Sequence, residues 1–427
     1  MMKKVLVVTY YWPPTGGSGV QRWVKFAKYL RQFGWEPVIY TPENPERLAT
    51  DETLLADLPA DITVLRRHIS EPYTLYRKFF GSSAKGAGVN PLNQQKKTFK
   101  QRLAILLRGN LFVPDPRAGW VGPSVRFLKK YLKDNHVDAV VTTGPPQSMH
   151  LIGLGLKKRT GVRWIADFRD PWTEMHYFKH MGLLPWTAAR HRRMEQEVLE
   201  RADAVVAVSA PVRDDFQKRT KVPVYLVTNG YDTDDFAAEP PVLPADRFTL
   251  VHTGLFASDG NPLNLWDVLA RKCAEDSNFK AQLRICLAGK TDAEIFDALA
   301  VRGLSGNVVD MGYLPHQETV RLQRSANVLL LPLRQEPEYA KALPGKIFEY
   351  LAARRPVLGI GQENGAAAGV LKDAGAGVMY DWDRTEPVRN YIESRWERHL
   401  LGTDGAPEGD ISAYSRLALT EKMAGIL

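Results

Sequence analysis

Cysteine is scarce in this chain: among 427 residues only Cys273 and Cys286 occur. Their spacing fits neither a paired zinc-ligand pattern nor a disulfide framework, so both read as buried thiols in a reducing compartment. Long apolar runs are missing as well. No stretch approaches the ~20 consecutive apolar residues that cross a bilayer. The run Val5 to Val8 behind Lys3 and Lys4 is too short for a signal-peptide core before Pro13 and Pro14, and reads as a first core strand. A cytoplasmic protein is expected, soluble or peripheral at the inner face of the cell membrane. What is present is ordinary globular composition, 44% hydrophobic and 25% charged, far from disordered or collagen-like classes. A chain this long is expected to split into two cores.

Strand-length apolar runs alternate with helical patterns almost throughout, the signature of doubly wound parallel α/β sheets. In the first half the runs are 4–10, 37–42, 138–143, 163–168, 204–209 and 224–228; in the second they are 249–254, 283–289, 307–313, 327–333 and 356–361. Residues 232–246 (DTDDFAAEPPVLPAD) are acid- and proline-rich without apolar period and read as an exposed linker. The expected domains are 1–236 and 237–410, both Rossmann-like, with a helix in 411–427 packing back on the first. Open parallel sheets bind ligands beyond the carboxyl ends of their strands, so two such domains facing each other would enclose a cleft between those ends.

The formal charge of +9 favours anionic partners. Much of it sits in residues 68–118, where nine Lys and Arg stand against Glu71 and Asp115, a balance of +7. There Phe99, Leu103, Ile105, Leu106 and Leu107 give a basic helix an apolar side. Such a helix suits either an anionic membrane surface or a solvated insertion.

Chemistry-bearing residues gather at strand ends. Gly16, Gly17 and Gly19 lie between the first strand and a helix, where backbone can approach a phosphate. Their spacing is neither a dinucleotide fingerprint nor a P-loop, which disfavours nicotinamide cofactors and a phosphate-cleaving motor. His150 follows one strand, and Asp167, Arg169 and Asp170 end the next, positions that demand either a structural pair or a ligand. In LPLRQEPEYAKALPGKIFEYLAARRPVLGIG (331–361), Pro344 precedes amides of Gly345, Lys346 and Ile347 suited to a pyrophosphate. Glu349, one turn on, suits a ribose or a solvated helix face.

These segments, with TYYWPPTGGSGVQRW, TTGPPQSMHLIGL, IADFRDPW and VTNGYD, closely resemble the retaining glycosyltransferases of family 4, which have the GT-B fold; the resemblance runs from residue 4 to about 380. It implies metal-independent, cofactor-free transfer of a sugar from a nucleotide diphosphate donor, UDP- or GDP-linked, with retention at the anomeric carbon. It also implies that the nucleotide sits mainly on the C-terminal domain. Gly16 and Gly17 match the loop that closes over the donor phosphates, and His150 matches the histidine near the transferred sugar. Asp170 looks like part of the acceptor or sugar site, with Asp167 and Arg169 beside it on the acceptor side. Glu349 matches the second glutamate of the E-x7-E pattern. Gly289, Tyr313 and Leu314 resemble turns lining the base pocket. His150, Asp170 and Lys346 are the expected catalytic residues.

Two departures stand out. Lys341 occupies the place of the first glutamate, for which Glu338 or Glu336 are the available substitutes. The segment 252–266 (HTGLFASDGNPLNLW) lacks the Arg and Lys that often clamp the pyrophosphate, and Lys341 and Lys346 are expected to supply that charge. A role in cell-surface polysaccharide or glycolipid synthesis is expected, with a sugar or lipid-linked acceptor; the resemblance is not specific for the acceptor, and the basic, partly apolar segment 68–118 is what points to a lipid-linked one. The alternatives are a nucleotide-sugar epimerase of the same fold or a non-catalytic nucleotide-sugar-binding homologue. A nucleic-acid-binding protein is disfavoured, because the basic residues concentrate in one insertion without a binding motif.

Overall fold

The computed structural model describes residues 2–46, 50–71, 105–106, 109–238, 244 and 246–427. The chain divides into two compact units, Met1–Thr228 with Arg416–Leu427, and Asn229–Ser415.

The first unit is built on a seven-stranded parallel sheet. Its strands are β1 (Lys3–Val8), β2 (Trp35–Pro42), β3 (Thr63–Arg67), β4 (Ala139–Gly144), β5 (Trp164–Phe168), β6 (Ala204–Ala207) and β7 (Val224–Leu226), in spatial order β3-β2-β1-β4-β5-β6-β7. The apolar runs follow from burial on both faces. In β1, Val5 and Val7 join the core under the helix Ser18–Tyr29, whereas Leu6 and Val8 join the opposite core with Trp120, Leu128 and Ile152. The closing helix Arg416–Ile426 completes the first of these cores with Leu419, Met423 and Ile426, and Arg163 donates to the carbonyls of Ile426 and Leu427 at 2.9 and 2.8 Å.

The second unit carries β8 (Phe248–Thr253), β9 (Leu283–Ala288), β10 (Val308–Gly312), β11 (Val328–Pro332), β12 (Val357–Ile360) and β13 (Gly377–Tyr380), in order β10-β9-β8-β11-β12-β13. Both sheets therefore reverse direction beside their first strand, at β1/β4 and at β8/β11, which are the switch points where parallel sheets take ligands. The strands β3 and β13 were not legible as apolar runs; each is an outer strand with few fully buried residues. The acid-rich stretch after Tyr231 is folded in its first part: Asp232 is buried and caps the short helix Thr233–Phe236, and Arg324 donates to the Ala238 carbonyl.

Arg77, Lys78, Lys85, Lys96, Lys97, Lys100, Arg102 and Arg108, with Phe99, Leu103 and Leu107, lie outside the described residues. Three charges of the same segment are structural rather than available to a surface. Arg117 pairs with Glu71 at 2.7 Å, both nearly covered, and Tyr10 donates to Glu71 at 2.8 Å. Asp115 accepts from the backbone N–H and the hydroxyl of Ser148, each at 2.8 Å, and so caps the helix Ser148–Thr160.

The centre of the first unit is held by Arg22. Its guanidinium is fully buried and grips Asp167 through Nε (3.1 Å) and Nη2 (2.8 Å), and it also donates to the carbonyls of Val227 (3.0 Å) and Thr228 (2.8 Å). Trp23 and Thr143 complete the carboxylate's shell at 2.8 and 2.9 Å. Removing one partner of such a pair leaves the other charge buried and unpaired, at a cost of about 3–5 kcal/mol. Arg22→Met is therefore expected to lower the unfolding free energy by that amount in urea denaturation, and a loss below about 1 kcal/mol would contradict the structural role.

Candidate active site

In the first unit the candidate residues cluster at the carboxyl ends of β1, β4 and β5. Gly17 adopts φ +110°, which side-chain-bearing residues rarely reach, and starts the helix Ser18–Tyr29. Arg169 ties this turn to its neighbour: its guanidinium donates to the carbonyls of Gly19 and Pro145, and it lies 5.6 Å from the Tyr11 ring. Asp167 and Arg169, separated only by Phe168, are not each other's partners. Asp167 belongs to Arg22, and its carboxyl is held below the usual carboxylate range by that guanidinium despite burial. With its hydrogen bonds met inside the protein, Asp167 builds the floor of the strand ends.

His150 is wholly buried on the helix Ser148–Thr160, stacked on Phe168 at 4.2 Å, with Nδ1 3.0 Å from the Thr142 hydroxyl. Burial presses its pKa down to about 3, so the ring is neutral. Asp170 is half-buried beyond β5, and burial raises its carboxyl to about 6 against the pull of Arg169. Two buried groups of this region were not singled out from sequence. Glu195 accepts from the Trp172 and Thr173 amides and from Arg219, and His191 accepts from the Trp172 indole at 3.0 Å. A charged residue and a histidine on the covered face of the helix Pro185–Arg201 are the signal that marks them.

In the second unit Lys346 is the focus. Its ammonium reaches back to the end of β8, 3.2 Å from His252 Nε2 and 3.3 Å from the Leu255 carbonyl, beside Gly254, which has φ +90°. His252 is buried, and its Nδ1 donates to the Leu330 carbonyl of β11 at 3.0 Å, which leaves Nε2 as the acceptor for Lys346. No carboxylate lies within 4.0 Å of the Lys346 ammonium among the described residues, and burial lowers its pKa to about 8. A half-buried cation thus stands at the β8/β11 switch point, beside the segment that contains no Arg or Lys of its own.

The helix Lys346–Ala353 begins at Gly345 without a side-chain cap. Ile347, expected to offer a free amide, does not: its N–H is taken by the Pro344 carbonyl at 3.1 Å in a tight turn, and the Phe348 N–H by that of Gly345. The amides of Gly345 and Lys346 make no such bond. Glu349, on the next turn, accepts from Gln323 Nε2 at 3.1 Å, and Gln323 also donates to Thr253 at 3.0 Å. Lys341 ends the short helix Pro337–Lys341 and is half-buried. A further cation missed from sequence, Arg334, reaches Asp259 of the 252–266 segment at 3.1 Å. Gly289 has φ +116°, and a Cβ there would stand 2.4 Å from the Gly254 carbonyl oxygen, so glycine is required for the two strand-end turns to meet. Tyr313 is exposed and Leu314 half-buried on the turn after β10. Among the described residues no group of three or more His, Cys, Asp or Glu is placed to hold a metal ion.

Solved glycosyltransferase structures share this pair of parallel sheets with matching switch points. A glycosyltransferase from Rickettsia africae superposes with a TM-score of 0.61 at 15% identity, covering 100% of this chain and 97% of its own. Sucrose-phosphate synthase from Thermosynechococcus elongatus gives 0.61 at 15%, covering 99% and 98%. HepE from Anabaena, solved in complex with UDP-glucose, gives 0.61 at 14%, covering 99% and 98%. No curated protein matches the sequence. The chain belongs to Glycosyltransferase Family 4, whose model matches residues 17–235, and the model of glycosyl transferases group 1 matches residues 247–392.

The buried histidines set a pH dependence of stability. In the unfolded chain His150 and His191 protonate near 6.5, but in the folded chain burial delays this to about 3 and about 4. Between pH 6.5 and 4 the unfolded state binds more protons, so stability is present above that window and lost as pH falls through it. The slope is up to ~1.4 kcal/mol per pH unit for each histidine. Denaturant midpoints measured across the window should fall with acid, less steeply in His191→Gln; flat midpoints would count against neutral burial.

Proposed function

We propose that this glycosyltransferase is a retaining, metal-independent enzyme that takes a UDP- or GDP-linked sugar as donor. The observation that carries the reading is the Lys346 ammonium, held by His252 and the Leu255 carbonyl beside the uncapped amides of Gly345 and Lys346. A pyrophosphate placed there gains a cation and oriented N–H groups, which is how a leaving diphosphate is stabilised without a metal. Glu349, fixed by Gln323, is placed to accept both hydroxyl hydrogens of the ribose, and Gly289, Tyr313 and Leu314 border the base. His150 and Asp170 serve the transferred sugar and the acceptor in the first unit, with the Gly16–Gly17 turn and Arg169 shaping that site. In the transfer the bond from the anomeric carbon to the β-phosphate oxygen breaks. The acceptor oxygen bonds on the same face, and the departing phosphate takes the acceptor's proton.

Lys346→Ala is expected to weaken binding of a nucleoside diphosphate by about tenfold or more while leaving the nucleoside nearly unaffected, since about 1.5–3 kcal/mol rides on a charge-assisted contact. Glu349→Gln should cost about 1–3 kcal/mol for both ligands. Calorimetry with UDP, GDP and their nucleosides reads both; equal losses for diphosphate and nucleoside in Lys346→Ala would sink the pyrophosphate assignment.

The same reading places the enzyme at the cytoplasmic face of a membrane with a lipid-linked acceptor, in cell-surface polysaccharide or glycolipid synthesis. Supporting it are the basic composition of 68–118 and, among described residues, an exposed row of Arg126, Lys129, Lys130 and Lys133 on the helix Ala118–Asp134. No helix among the described residues is long and apolar enough to cross a membrane. Each basic residue near an anionic surface contributes about 1 kcal/mol. Co-sedimentation with anionic vesicles should be seen at low salt and be lost at high salt, and binding to neutral vesicles alone would contradict it.

A further inference from the structure

The polar atoms around His150 determine where its proton sits. Trp164 Nε1 can only donate, and it donates to Thr142 Oγ1 at 2.9 Å. Thr142 then has one hydrogen left to place, and the acceptor within reach is His150 Nδ1 at 3.0 Å; its other contact is the indole donor. Placing that hydrogen requires Nδ1 to carry none. Space for the relay is secured by Gly153, where a Cβ would fall 2.2 Å from Trp164 Nε1 and 2.7 Å from Thr142 Cγ2.

The far side of the ring is equally specific. His150 Nε2 and both polar atoms of the Gln147 carboxamide are buried and make no hydrogen bond in the structure. His150 Nε2 and Gln147 Oε1 both face Gly144 at the end of β4, where a Cβ would stand 2.6 Å from the first and 2.9 Å from the second. Buried polar atoms left without partners are costly, and a partner supplied from outside the protein relieves that cost.

We infer that Thr142 and Trp164 fix His150 as the neutral tautomer with its proton on Nε2, which makes the far side of the ring a hydrogen-bond donor. His150 is then a donor that takes no proton from a substrate, which agrees with its depressed pKa. Thr142 and Trp164 are positioning residues acting through it. That a substrate meets this donor rests on the transferase reading; the tautomer does not.

Long-range proton–nitrogen correlation spectra of the nitrogen-15 histidine-labelled whole protein at about pH 7 decide the point, with His150 assigned by its loss in His150→Gln. The expected result is a protonated Nε2 and a bare Nδ1. Thr142→Val should mix the tautomers and lower kcat/KM by about tenfold, because the fraction of molecules with a bare Nε2 loses that hydrogen bond. Thr142→Ser should restore both readouts. A proton on Nδ1, or an imidazolium, in the wild-type spectrum overturns the inference, as does a Thr142→Val spectrum identical to wild type. Absence of turnover with every nucleotide sugar would defeat the transferase reading instead, and the spectra of the unliganded protein would still decide the tautomer.

Discussion

A cation with no carboxylate in ion-pair contact among the described residues is the feature on which the proposed donor site depends. Lys346 is held by a neutral imidazole and a carbonyl, and burial brings its pKa to about 8 against the more distant pull of Glu349. An unpaired half-buried charge is a standing cost to the fold, and an arriving anion removes it. The arrangement needs the whole switch point. His252 must sit on β8 and be fixed by Leu330 of β11, Gly254 must turn with positive φ, and the helix Lys346–Ala353 must start there without a cap.

The first unit solves the opposite problem. There Arg22 and Asp167 form a buried pair whose hydrogen bonds are met internally, leaving it to fix the ends of β5 and of the chain segment through Val227 and Thr228. Against that rigid floor the unpartnered atoms of His150 and Gln147 stand out. The first unit thus offers uncommitted hydrogen-bonding groups and the second an ammonium without an ion-pair partner among the described residues.

Much of the fold was legible because parallel strands buried on both faces read as apolar runs. The edge strands β3 and β13 were not, since TVLRR and GVMY expose part of their surface. Within the site, Gly17, His150, Lys346 and Glu349 were visible as glycines or charges at strand and helix ends. The partners were harder to see. Arg22 sits among Val20, Trp23 and Val24 of an apolar helix face, where a charge signals a buried pair but not with whom. Nothing in HTGLFASDGN marks His252 as the residue that holds the Lys346 ammonium, because the two are 94 residues apart in the chain. Proximity in sequence also misled: Asp167 and Arg169 stand on either side of Phe168, yet Asp167 pairs with Arg22 while Arg169, beyond the end of β5, donates to the carbonyls of Gly19 and Pro145.

The proposed meeting of Lys346 with the donor's diphosphate should show in the proton balance of binding, because its ammonium titrates near pH 8 in the unliganded protein. Calorimetry of a nucleoside diphosphate at about pH 8, repeated in buffers of different ionisation enthalpy, should show uptake of roughly half a proton per ligand bound, because a neighbouring anion raises the ammonium's pKa. The uptake should vanish in Lys346→Ala. Binding of the diphosphate without proton uptake at that pH would contradict the claim.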